Sequence, residues 1–138
     1  MNAEIIMQQA KRLQPELQVW RRWLHGHPGT GFEIEETVEY VMARLGKMGY
    51  VPQRCGKAGV VALVGGKRPG KTFLLRADMD ALPIPEQSGE EFAAEGGNMH
   101  ACGHGLHHAK VTFDDSVLWE GSAIYAYNAM RWLADHNG

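Results

Sequence analysis

Met99-His-Ala-Cys-Gly-His-Gly-Leu-His-His108 holds four histidines and one cysteine in ten residues, a chemical bias the chain shows nowhere else. Thiolate and imidazole are preferred ligands of zinc and similar divalent metals. Imidazole is neutral near physiological pH and a thiol yields its proton to a bound metal, so the cluster can ligate under ordinary conditions. One or two such residues would read as a His-rich surface loop. Five in ten, with Gly103 and Gly105 allowing tight turns between them, read as a metal site.

Upstream of the cluster, Glu86 to Asn98 is acidic and contains glycine, hence loop, and Asp78-Met-Asp80 precedes it at the end of a strand expected over Thr72 to Arg76. Carboxylates one residue apart on a strand point to the same side, and ligands gather at strand ends in α/β sheets. A pair of exposed loop aspartates is an equally good reading of this feature alone. Further back, Val60 to Val64 reads as a strand and Val51 to Arg54 as a shorter one. Gly65-Gly-Lys-Arg-Pro-Gly-Lys-Thr72 has the glycines, Lys and Thr of a phosphate-binding loop. Such a loop must open a helix whose amides hold the phosphates. Here Thr72 opens the strand-like Phe-Leu-Leu-Arg-Ala, so the stretch reads as a β-turn region, with nucleotide binding the minority alternative.

The flanks are helical. Ile6, Ala10, Leu13, Leu17, Trp20 and Leu24 recur at steps of four and three, which predicts an amphipathic helix over 3–25, kinked or restarted at Pro15. His25-Gly-His-Pro-Gly-Thr-Gly31 breaks it, and His25 and His27 read as a capping or solvated pair. Val38, Val41, Leu45 and Met48 mark a second helix, led by Glu33, Glu35 and Glu36 and stopped by Gly49. Ala109 to Phe113 reads as a short strand. Asp114, Asp115 and Ser116 then offer N-caps to a last helix through Trp119, Ala123, Ala126, Met130 and Leu133. Helices alternating with strands point to an α/β layer.

Composition bounds the partners. The 138 residues make one domain of ordinary globular character, with 44% hydrophobic and 22% charged residues. A net charge of −2 offers no basic patch, which argues against nucleic acid and anionic membranes as partners. Two cysteines, Cys55 and Cys102, are no disulfide framework, and neither a signal-peptide pattern nor eighteen uninterrupted apolar residues occurs. The expected compartment is the cytoplasm.

Four blocks now carry a resemblance: Arg21-Arg-Trp-Leu-His-Gly-His-Pro28, Gly31-Phe-Glu-Ile-Glu-Glu-Thr37, Leu75-Arg-Ala-Asp-Met-Asp-Ala-Leu-Pro-Ile84 and Met99-His-Ala-Cys-Gly-His104. In order and spacing they resemble the amidohydrolase branch of the zinc metallopeptidases, which includes aminoacylases, hippurate hydrolase and indole-acetyl-amino-acid hydrolases. The resemblance implies Cys102 and His104 as metal ligands and Asp80 as a carboxylate orienting a ligand histidine. Gly105 to Asp115 and the helix after it resemble the extreme C-terminal segment of these enzymes, where a histidine supplies a late ligand; His107 fits that slot, with His108 next. His100 and Asp78 are further donors.

The implied fold is α/β, a single truncated catalytic-type domain over 1–138, with helices packed on a small mixed sheet. Residues 1–104 resemble the family's N-terminal part and 106–138 its C-terminal segment, and the lid or dimerisation domain is absent. The implied activity is hydrolysis of the amide bond of N-acyl amino acids at a divalent-metal centre, zinc or manganese, with a glutamate shuttling the proton. The family's adjacent Glu-Glu pair and another ligand histidine have no counterpart here, and Glu86, Glu90 and Glu91 lack motif support. Loss of a proton shuttle forfeits about 10²–10⁴ in rate, so activity is expected to be impaired or absent. A non-catalytic metal-binding or interaction module is the alternative, self-associating through a sheet edge left exposed by missing strands.

Overall fold

The computed structural model describes residues 2–65, 69–101, 110 and 112–136. Among them are α1 (Ala3–Gly26), α2 (Glu35–Lys47), β1 (Gln53–Cys55), β2 (Gly59–Val61), a short 3-10 turn (Asp115–Val117) and α3 (Leu118–His136). They fall into two compact units, Met1–Arg21 with Lys67–Ala77 and Phe113–Gly138, and Arg22–Gly66 with Asp78–Thr112.

The first unit is built on α1 and α3. Helix α1 runs through Pro15 as one continuous helix, so the proline does not restart it. Its stripe buries Ile6 and Ala10 against Ala123 of α3, with Trp119, Ala126 and Tyr127 packed around them. The stripe is narrower than its periodicity implied, for Leu13 stays 42% exposed. Gln14 ties the start of α3 to α1. Its side-chain amide donates to the Asp115 carbonyl, and its side-chain oxygen accepts from the Trp119 N–H at 3.0 Å. That amide is one of the donors a helix start leaves without an internal partner. Arg21 pairs with Asp115 at 3.2 Å, and the Asp114 carboxylate caps the 3-10 turn by accepting from the Ser116 N–H at 2.9 Å.

The stretch 69–77 belongs to this unit and forms neither the expected strand over Thr72 to Arg76 nor a helix from Lys71-Thr72. A strand exists only where a neighbour takes its backbone hydrogen bonds, and among the described residues none pairs with this one. Phe73 rests on Trp132 of α3, while Leu74 stays 80% exposed. Without a helix at Lys71-Thr72 the phosphate-binding reading loses the amides it requires.

In the second unit the last turn of α1 stacks on α2. Trp23 lies between His27 and Tyr40, at centroid distances of 4.1 and 3.7 Å, and Arg44 covers the far face of Tyr40. Helix α2 buries Thr37 and Val38 with Ile34 just before it. It ends at Gly49, whose φ of 87° lets the Gly49 and Tyr50 amides fold back onto the Gly46 and Leu45 carbonyls. The hairpin that follows pairs β1 with β2 antiparallel, Gln53 opposite Val61 and Cys55 opposite Gly59. The Arg54 guanidinium grips the Glu35 carboxylate at the start of α2, tying hairpin to helix. The strand expected over Val60 to Val64 closes at Val61, and Leu63 and Val64 pair with no strand among the described residues.

Candidate metal centre

Three segments of the second unit meet by backbone pairing. Gly29 and Thr30 lie beside Ala81, whose N–H donates to the Gly29 carbonyl at 2.7 Å. Leu82 and Met99 exchange both of their hydrogen bonds, at 2.9 and 3.0 Å. Ala81, Met99 and Ala101 are buried, the last two completely. Position 29 itself has no room for a side chain, because a Cβ there would lie 2.2 Å from the Glu33 carbonyl oxygen. The chain therefore leaves the Asp78-Met-Asp80 motif and enters the Met99-His-Ala sequence at adjacent points.

Asp78 and Asp80 are exposed, as the loop reading of this pair had it, and His100 is half-buried. Cys102, His104, His107 and His108 lie outside the described residues, as does most of the short strand expected at Ala109 to Phe113. Among the described residues no three His, Cys, Asp or Glu side chains converge on a point that could hold a metal. The donors on the two bridged segments and their continuation are carboxylate, thiol and imidazole, a set whose chemistry fits a divalent metal.

A buried polar pair nearby was not expected from the sequence. His25 is 3% exposed, neither capping nor solvated, and its Nε2 lies 2.8 Å from an oxygen of Glu86, whose side chain is fully buried. The other Glu86 oxygen accepts from the Ala94 N–H at 2.7 Å, and the Ser88 hydroxyl donates to the first. Burial pushes this carboxyl up, but the hydrogen bonds from Ser88, His25 and Ala94 outweigh it and hold the group below its ordinary range. A carboxylate so held only accepts, so the His25 Nε2 carries the hydrogen. Phe92 meets the His25 ring edge-on, and His100 lies 6.5 Å from it between centroids. His27, by contrast, does cap: its Nδ1 is 2.7 Å from the Trp23 carbonyl. Nothing local in the sequence marks the His25–Glu86 pair, whose members are 61 residues apart.

The structure superposes on metallopeptidase-type domains. It aligns with a structure assigned as an aminohydrolase from methicillin-resistant Staphylococcus aureus at a TM-score of 0.70 and 30% identity, covering 91% of this chain and 31% of that one. It aligns with a Bacillus subtilis dinuclear metal-binding peptidase of family M20 at a TM-score of 0.64 and 31% identity, covering 86% of this chain and 32% of that one. Residues 74–113, which contain the Leu82–Met99 pairing, match the model of Peptidase family M20/M25/M40, so this stretch of the chain carries a segment of that family. Among curated relatives, an N-acyl-L-amino acid amidohydrolase of Geobacillus stearothermophilus is 40% identical over 113 residues, and an N-acetyldiaminopimelate deacetylase of Listeria innocua 42% over 90. The aligned part is 80% and 63% of this chain but only 30% and 24% of those proteins. No helix among the described residues is long and apolar enough to cross a membrane.

Proposed function

We propose that this chain is a shortened amidohydrolase-family domain that holds a divalent metal through Cys102, His104 and His107. Asp80 orients a ligand imidazole by accepting its second N–H, and His100, His108 or Asp78 completes the donor set. The observation that carries this reading is the Leu82–Met99 pairing, which sets the aspartate motif beside the start of the Cys/His sequence. When bound, zinc or manganese would supply Lewis acidity toward an amide carbonyl and a water made acidic enough to attack it. The substrate class is N-acyl amino acids, as in the name of the Geobacillus relative, and the compartment is the cytoplasm, where the Cys102 thiol stays reduced.

Turnover is reduced or lost in this reading. The Glu86 carboxylate is occupied by Ser88, His25 and Ala94 and has no access to a substrate, while Glu90 and Glu91 are exposed loop residues. Residues 1–104 and 106–138 then act as one domain, its N-terminal and C-terminal parts joined. Elemental analysis of the purified protein tests the site: about one equivalent of zinc or manganese per chain, lost in Cys102→Ser, is expected. Unchanged metal in that variant rejects the ligand set. Assays on N-acetyl and N-benzoyl amino acids with added metal should give rates roughly 10²–10⁴ below those of a full-length relative, or none.

A non-catalytic interaction role is the second reading. It is favoured by the apolar, uncharged run Gly59-Val-Val-Ala-Leu-Val-Gly65, in which Val61, Leu63 and Val64 are 48%, 80% and 60% exposed. Self-association along this edge is the expected behaviour.

A further inference from the structure

We propose that Glu86, acting through His25, is a positioning residue for the metal segment: it fixes the Met99–Ala101 stretch from which the Cys102 and His104 ligands follow. The inference rests on the metal-site reading above and extends it to residues that touch no metal.

Three of the described features hold segment 99–101. Its backbone pairs with Leu82, the Met99 and Ala101 side chains are completely buried, and the His100 ring is the neighbour of His25, tilted to it with centroids 6.5 Å apart. The first depends on where Leu82 lies, four residues before Glu86 in the chain. The third depends on His25, an imidazole in the last turn of α1 that could rotate about its own χ angles. Glu86 prevents that rotation, since the 2.8 Å bond to Nε2 leaves the ring one orientation, edge-on to Phe92 and toward His100. The same carboxylate closes its own loop on both sides through Ser88 and Ala94. A buried charge held by three hydrogen bonds has one low-energy position, whereas an amide in its place must present a donor to one of the groups that now donate to it. Glu86→Gln therefore replaces a charged acceptor by a neutral amide with almost no change in volume and weakens the hold on His25. Partners behind a metal ligand matter in this way because they set where the ligand stands before the metal arrives.

The test titrates metal-free protein with cobalt(II), following thiolate-to-cobalt absorption, in wild type, Glu86→Gln, Glu91→Gln and Cys102→Ser. Amide hydrogen exchange at Leu82, Met99 and the α2 amides is followed in the same proteins without metal. Glu86→Gln should weaken cobalt binding about tenfold or more, with Glu91→Gln unchanged. It should also speed exchange at Leu82 and Met99 while the α2 amides keep their protection. Cobalt affinity within about twofold of wild type overturns the proposal, and so does an equal loss of protection in α2, which would make Glu86 a residue of general stability. Absence of a cysteine-dependent cobalt band in wild type is a failure of the metal-site reading instead. The exchange data then decide alone whether Glu86 holds the segment.

Discussion

Glu86 has a side chain with no exposure, and its charge is retained because three donors surround it. A buried carboxylate without them would rise in pKa and neutralise. The linkage has a definite sign. A group held below its unfolded value of 4.5 stabilises the fold above that pH, and the contribution is lost as pH falls through the folded value. Melting temperature should therefore drop as pH is lowered below about 4.5, and the drop should be smaller in Glu86→Gln. At neutral pH the same substitution should cost roughly 2 kcal/mol, measured by urea unfolding, because it removes a hydrogen bond to a charged group. The exposed Glu35 pairs with Arg54, whose hydrogen bond lowers the Glu35 pKa, but solvent screens this pair and its loss should be hard to measure.

At the scale of elements, the helices and their ends follow from local chemistry. The 3.6 period of α1, the acidic start of α2, the glycine after it and the Asp114 cap are all readable in a window of a few residues, and each appears in the structure. The junction between α1 and α2 is a different matter. Gly29 reads as one of several loop glycines, yet it is where the chain admits Ala81, and its missing side chain is required by the Glu33 carbonyl. Gly29→Ala should destabilise the protein by about 1–3 kcal/mol through overpacking against backbone. Gly31→Ala offers a comparison, since a Cβ at Gly31 meets nothing within 4 Å and its cost is confined to a φ of 58°. Thermal melts of the two variants separate close approach from backbone conformation. The strands were less legible. Val60 to Val64 and Thr72 to Arg76 carry β-branched and aromatic residues as strands do, but pairing decides whether they become strands, and only Gly59–Val61 finds a partner among the described residues.

For the molecule as a whole, the same shortage of partners explains the surface. Leu63, Val64, Leu74 and Leu75 are 80%, 60%, 80% and 50% exposed, although their sequence context is that of buried strands. The aligned part of the chain spans about 30% of the Geobacillus relative. An uncharged edge with large apolar side chains pairs readily with another edge. Sedimentation velocity should show self-association that weakens in Leu63→Lys, where a charge on the edge opposes pairing; a monomer at all concentrations would exclude this behaviour.

From the sequence alone came the order of helices, the turn chemistry, the donor-rich segment 99–108 and the resemblance that the M20 match upholds. These rest on spacing and residue type within short stretches or on whole motifs, and neither needs a third dimension. Tertiary structure decided what depends on distant partners. His25 became the buried mate of Glu86 instead of a cap, the aspartate motif came to lie beside the entrance to the Cys/His sequence, and two apolar runs found no strand partner among the described residues. The physical reason is common to all three: a side chain's charge state, orientation and burial are set by what the fold brings against it, and those groups lie tens of residues away.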